Sequence, residues 1–215
     1  MDRLLAFDYD GVLVDSYDVF KRYFLEACHD QDVEAISTEE DFLSLFDGNL
    51  YESMRQQGLS RDQILRVVLA VRDGIMENRE EIQLYPGIRE TVHALAENHT
   101  LAVVTSNDTE VVRHLLAARD IDYFTSVIGS DREPSKHAKL QRLQRQHHGT
   151  CYYIGDTAGD IIEGKQADVV TVAATWGWHS EQRLRRAAPD HLVHTPEELR
   201  TLFLDNGYSS RSSRK

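Results

Sequence analysis

Only two cysteines occur among the 215 residues, Cys28 and Cys151. They stand far apart, and neither sits in a Cys-x-x-Cys or Cys/His spacing. A disulfide framework and a thiolate metal site are therefore excluded as organising features, and two buried thiols in a reducing compartment are expected. No apolar run approaches the ~20 residues that span a bilayer. The first apolar run is broken by Asp8 and Asp10, so it is no signal-peptide core. These absences predict a cytoplasmic protein. Positive charge is also scarce: 24 Lys and Arg face 36 Asp and Glu, a net charge of −12. That balance argues against nucleic acid or an anionic membrane as partner, while leaving room for a local basic pocket that takes a phosphate. No internal repeat is evident.

What is present is enough for one packed core. Hydrophobic residues make up 41% of the chain, and its length suits one large domain or a domain carrying an insertion. From about residue 85 onward, β-type runs alternate with helical patterns. The β-type runs are Thr100–Thr105, a weak one at Ser126–Ile128, Cys151–Ile154 and Val169–Ala173. Between them, Ile88, Val92 and Leu95 share a helix face, as do Val111, Val112, Leu115 and Leu116 behind a cap at Asn107 or Asp108. Thr195-Pro196-Glu197-Glu198 reads as a capping box with Pro at the first helical position. Such alternation predicts a parallel sheet covered on both faces.

Residues 16–84 differ. They hold no convincing β run but several helical signals: Phe20, Tyr23, Phe24 and Ala27; a cap at Thr38; and a Ser60/Gln63 capping box ahead of Ile64, Val67, Val68, Val71 and Ile75. The organisation predicted is an α/β core over 1–15 and 85–206, an all-helical insert over 16–84, and a frayed Ser/Arg-rich tail over 207–215.

The most informative segment is Leu4-Leu5-Ala6-Phe7-Asp8-Tyr9-Asp10-Gly11. Alternate strand residues project to one side, so Asp8 and Asp10 crowd together at a strand end. Two like charges held there demand a cation or a reacting group. In open α/β sheets ligands bind where the strands end. The other β runs end in Thr105-Ser106-Asn107 and in Gly155-Asp156-Thr157-Ala158-Gly159-Asp160, and Lys136 and Lys139 follow the weak run. Carboxylates converging with a hydroxyl and a lysine suit a Mg²⁺ ion and a phosphate group.

These motifs, in this order, resemble the haloacid dehalogenase-like phosphatase superfamily. The segment from Val172 to Leu199, with its Thr-Trp-Gly-Trp-His-Ser, is similar to the phosphoglycolate phosphatase-like branch. The resemblance implies a Rossmann-like parallel-sheet core with a small all-helical cap in the place of the insert. It implies that Asp8 is a nucleophile forming an aspartyl-phosphate and a Mg²⁺ ligand. Asp10 would be the general acid/base and bind the metal through its backbone carbonyl. Thr105, with backbone N–H groups at Ser106 and Asn107, would hold phosphate, as would Lys136. Asp156 would complete the metal site, and Asp160 would be a direct or indirect ligand. The lysine segment lacks the usual Lys-Pro, so Lys139 stands as the alternative to Lys136.

The activity so implied is Mg²⁺-dependent hydrolysis of a small phosphorylated metabolite, phosphoglycolate-like or a sugar phosphate, by a monomer or weak homodimer. A phosphomutase of the β-phosphoglucomutase kind is the alternative, weakened because Phe20 stands where that branch has a cap histidine. Dehalogenases and phosphonoacetaldehyde hydrolases lack the aspartate that Asp10 supplies. A non-catalytic phosphoprotein-binding module is a third reading. Trp176 and Trp178 read as loop-packing aromatics, His179 as a residue near the site entrance, and the loop around Asp47–Tyr51 as a turn or a lid.

Overall fold

The computed structural model describes residues 3–204; the tail expected over 207–215 lies outside the described residues. At the centre is β1 (Leu4–Phe7), buried along its whole length. Its two faces feed different cores. Leu5 and Phe7 pack with Val92, Leu115 and Leu199, whereas Leu4 and Ala6 pack with Leu140 and Tyr153. A strand covered on both sides gains from apolar residues at every position, which is why this one does not alternate.

Around β1 lie β4 (Thr100–Val104), β5 (Phe124–Ile128), β6 (Cys151–Gly155), β7 (Val170–Ala174) and β8 (His191–Val193). All pair in parallel, in the order β5-β4-β1-β6-β7-β8. The chain builds outward on one side of β1, then returns to the other side. Such a reversal leaves a crevice at the carboxyl ends of the central strands. The covering helices are α5 (Ile88–Ala96), α6 (Thr109–Ala117), α7 (Lys136–Gln146), α8 (Ala158–Gln166), α9 (Glu181–Arg186) and α10 (Pro196–Leu204). Asp108, not Asn107, caps α6, accepting from the N–H groups of Glu110 and Val111. At α10, Thr195 takes the Glu198 N–H, but the Glu198 side chain turns to the His194 N–H instead of closing the expected box.

Between β1 and α5 the chain forms a helical insert: α1 (Tyr17–His29), α2 (Glu39–Ser44), a 3₁₀ turn at Leu45–Asp47, α3 (Leu50–Gln56) and α4 (Arg61–Glu77). Thr38 with Asp41 and Ser60 with Gln63 both form complete capping boxes. Several short elements escaped the sequence reading, the helix Glu181–Arg186 among them. Helix α3 is short and follows a glycine. Strand β8 has three residues at the sheet edge. A two-residue antiparallel ribbon joins β2 (Val14–Asp15) to β3 (Gln83–Leu84), so residues 16–84 are not wholly helical. The ribbon sets the two ends of the insert side by side. Arg119 braces it from the core, donating to the carbonyls of Arg79 and Ile82. Among the described residues no helix is long and apolar enough to cross a membrane.

Candidate active site

The ends of β1, β4 and β6 bring the expected residues together. Asp8 and Asp10 are both buried, yet their surroundings differ. Asp8 Oδ1 accepts from the Tyr9 N–H at 2.7 Å, and Oδ2 accepts from Lys136 Nζ at 2.5 Å. Asp10 meets only neutral donors, Ser16 Oγ at 2.7 Å and Asn107 Nδ2 at 3.0 Å. The turn between them depends on Gly11. Its φ is +78°, and a Cβ there would lie 2.1 Å from Asp156 Oδ2, so both conformation and space require glycine.

Carboxylate oxygens of Asp8, Asp156 and Asp160 lie within 4.8 Å of one another. Asp156 is fully buried. Its Oδ2 accepts from the Trp178 N–H at 2.7 Å, but its Oδ1 has no hydrogen-bond partner. Asp160 is the opposite case. Oδ1 accepts from Lys136 Nζ at 2.6 Å and Tyr153 OH at 3.0 Å. Oδ2 accepts from the Thr157 N–H and Oγ1 as the capping box of α8. Both oxygens of Asp160 are thus engaged, while Asp156 presents a bare one.

Electrostatics follow from this arrangement. Burial pushes the Asp8 carboxyl up to about 7 despite Lys136, with Asp160 adding to the rise. Burial, then the charges of Asp160 and Asp8, hold Asp156 well above the usual carboxylate range. Burial raises Asp10 as well, against the hydrogen bonds from Ser16 and Asn107. For Asp160 burial is outweighed by the charge and hydrogen bond of Lys136, and its carboxyl falls below the usual range. A buried acidic cluster with an unpartnered oxygen and proton-retaining neighbours has the donor chemistry of a hard divalent cation site; Asp8 and Asp156 fit such an ion.

The choice between the two lysines is geometric. Lys136 bridges Asp8 and Asp160. Lys139 Nζ instead donates to the Thr105 carbonyl at 2.6 Å, and burial, reinforced by Lys136, lowers its ammonium to about 7. Lys139 therefore supports the end of β4 from below. The Thr105 hydroxyl accepts from the Asn107 N–H at 3.0 Å. That N–H, expected to face a phosphate, is turned onto Thr105, and the Asn107 side chain serves Asp10. Ser106 lines the space above Asp8, Asp10, Thr105 and Lys136.

Around the site, His179, Trp176, Trp178 and the loop at Asp47 take up contacts that join insert to core, together with Arg183, Asn49 and Gly159, for which the sequence carried no signal. His179 Nδ1 accepts from the Ala158 N–H at 3.0 Å, and Nε2 faces the Leu43 carbonyl of the insert at 3.0 Å. Arg183 grips Asp47 with two bonds of 2.6 Å and reaches Glu40 and Ser44. Asn49 donates to Glu163. Gly159 admits the loop of the insert so closely that a Cβ would sit 2.3 Å from the Gly48 carbonyl oxygen. Trp176 anchors its loop through the Val12 carbonyl. The Trp178 ring lies 5.0 Å from those of Phe20 and Phe46, and its buried Nε1–H has no hydrogen-bond partner.

A parallel sheet with this crevice, crowned by paired aspartates, a hydroxyl, a lysine and a second acidic loop, defines a hydrolase scaffold of one type. A profile of the family described as haloacid dehalogenase-like hydrolase matches residues 5–174, and the chain belongs to that family. It is 27% identical to a phosphoglycolate phosphatase of Synechococcus elongatus, over 92% of this chain and 95% of that one. It is 24% identical to the pyrophosphatase PpaX of Listeria innocua, over 94% and 96%. Among solved structures, a haloacid dehalogenase-like family hydrolase from Streptococcus pneumoniae superposes with a TM-score of 0.77 at 25% identity, covering 94% of this chain and 98% of that one.

Proposed function

We propose that the protein is a Mg²⁺-dependent phosphatase that hydrolyses a phosphomonoester of a small metabolite through an aspartyl-phosphate, with the helical insert acting as its cap. The observation that carries this reading is the opposite treatment of two carboxylates on one strand end. Asp8 is gripped by Lys136 beside a cation-type acidic cluster, while Asp10 is buried among neutral donors. Divergent environments of that kind separate a nucleophile from an acid/base.

Asp8, Asp156 and the Asp10 carbonyl would hold the ion, and Asp160 acts by fixing Lys136. The bound cation would neutralise the carboxylates and the phosphate oxygens. Asp8 Oδ attacks phosphorus, and the bond to the ester oxygen breaks. Asp10, whose burial favours its protonated form, gives that oxygen its proton, and the alcohol leaves. In the second step Asp10 takes a proton from water, and the hydroxide displaces Asp8 from phosphorus. Inorganic phosphate departs and both carboxyls return to their starting forms. Lys136, Thr105 and Ser106 bear on the phosphate oxygens throughout. Phe20, packed on Trp178, offers no side-chain base for a phosphomutase cycle. The relatives' names, phosphoglycolate phosphatase and pyrophosphatase, support hydrolysis at phosphorus, of an ester in one case and an anhydride in the other.

The test is phosphate release from p-nitrophenyl phosphate with Mg²⁺ and with EDTA. Release is expected only with the metal, and Asp8→Asn is expected to lower it by at least ~10³-fold. Metal-independent turnover, or an Asp8→Asn enzyme of near-normal rate, defeats the reading.

A further inference from the structure

Beyond the catalytic floor, a cavity of about 700 Å³ opens between the insert and the core. It shares Phe20 and Ser106 with the small space above Asp8 and Lys136, so the two adjoin. Its walls are unlike. The core side is polar, including Ser106, Asp108 and Asp131. The insert side is one face of α4, carrying Ile64, Leu65, Val68, Leu69 and Val71. Leu65 is 56% exposed and Leu69 37%, two of the four large exposed hydrophobics among the described residues. Scattered surface leucines need no explanation, but a contiguous apolar face inside a cleft marks a binding surface. From Ile64 to Val71 the stripe runs ~10 Å along the helix.

Arginines stand around this stripe. Arg61 opens α4, Arg72 lies near its far end, and Arg55 comes from α3. The guanidinium groups of Arg55 and Arg61 have no ion-pair or hydrogen-bond partner among the described residues, and that of Arg72 meets only its neighbour Asp73. The acids of the opposite wall are already engaged. Asp108 caps α6, and Asp131 accepts from Thr109 and pairs with Arg132. In a chain of net charge −12, two arginine side chains without partners beside an apolar wall are a local source of positive charge.

We infer that this cavity holds the leaving group of the substrate, and that the group has an apolar body ended by a second anion. The inference rests on the phosphatase reading and narrows it. A two-carbon leaving group is shorter than the α4 stripe and would leave it bare. An apolar body covers the stripe, and its terminal anion meets Arg55 or Arg61 while the phosphate sits over Asp8.

The test is a homologous series of ω-phosphooxy carboxylic acids, from two to about ten carbons, beside alkyl phosphates of the same lengths without the carboxylate. Each methylene laid on the wall is expected to raise kcat/KM about three- to fourfold until the stripe is covered. The carboxylate is expected to add a further factor of about ten in the longer members only. Leu65→Ser with Leu69→Ser should flatten the dependence on length. Arg55→Ala with Arg61→Ala should bring the ratio between carboxylate and methyl ends toward one. Rates independent of length, or ratios indifferent to these variants, overturn the inference while turnover of the shortest member upholds the phosphatase. Calorimetric binding of the same series to Asp8→Asn separates the two ideas from the other side. Affinity that climbs with length in a protein whose wild type hydrolyses nothing defeats the phosphatase reading and the leaving-group role with it, and leaves the cavity only as a binding site for an apolar body with a terminal anion.

Discussion

The floor of the site and the roof above it are built on different physics. On the floor, Asp8, Lys136 and Asp160 form a buried chain of charge in which nearly every polar atom has a named partner. Beside that chain, Asp156 Oδ1 has no partner. Partnered buried charges are rigid, because moving any one strands the others. The roof is mostly aromatic and aliphatic: Phe20, Phe42, Phe46 and Trp178 touch at ring distances of 5.0–6.1 Å. Its polar ties to the core are concentrated at one end, where His179, Arg183, Gly159 and Glu163 meet the loop that follows α2. At the other end, α4 stands off across the 700 Å³ cavity, and α3 reaches the core through the Tyr51 hydroxyl, which donates to the Ser106 carbonyl at 3.5 Å. On the proposed reading, chemistry belongs to the rigid floor and choice of leaving group to the roof.

That division can be broken most severely from the floor. Asp10→Asn is expected to lower kcat by about 10²–10³-fold while phosphate affinity changes little. Equal losses in both would place Asp10 in binding and erase its difference from Asp8. Next comes Gly159→Ala, which attacks the contact between the two layers. An alanine inside α8 favours the helix by roughly 0.5–1 kcal/mol, yet its methyl collides with the Gly48 backbone. We expect kcat/KM to fall about tenfold or more with the melting temperature nearly unchanged. A large loss of stability with normal activity in the remaining folded protein would refute the roof's part in catalysis.

A gentler probe is the cation itself. Burial keeps Asp8 near 7 and Asp156 well above its usual range, so the metal-free fold retains protons that the unfolded chain releases near pH 4. These two groups therefore make the metal-free fold less stable as pH rises from about 4 towards 7. A cation that replaces those protons restores most at the upper end. The gain in melting temperature from Mg²⁺ over EDTA is expected to be small at pH 5 and to grow to a few degrees by pH 8, on the order of 1–2 kcal/mol. A gain independent of pH would put the ion somewhere other than this cluster. Smallest is Arg183→Ala. Its pair with Asp47 is bidentate but partly exposed, so a loss of about 0.5–1 kcal/mol is expected. It should appear as a severalfold rise in KM that high salt reproduces in the wild type.

The floor was legible in the sequence because its residues follow strand ends. Buried strands read as apolar runs, and whatever comes next must face the crevice; Asp8, Asp10, Thr105 and Asp156 were found that way. Lys136 needed the structure to separate it from Lys139, since both lie near the start of one helix. The roof was far less legible. The pairs Arg183–Asp47 and His179–Leu43 each join residues 136 positions apart, and no local periodicity records such a contact. Helix α3 and strands β3 and β8 were missed because seven, two and three residues are too few to show a period. The Asn107 side chain reads in the sequence as a rival of Asp108 for the helix cap, and nothing local to it records its bond to Asp10.

The ribbon of Val14–Asp15 with Gln83–Leu84 has a consequence for modularity as well as for shape. It fixes the entry and exit of the insert about 5 Å apart, the spacing of paired strands, on a mount braced by Arg119. Anything whose two ends meet at that separation fits the same mount without moving Asp8 or Asp10. The helical roof thus hangs from the core by one narrow joint, separate from the strand end that carries the two aspartates.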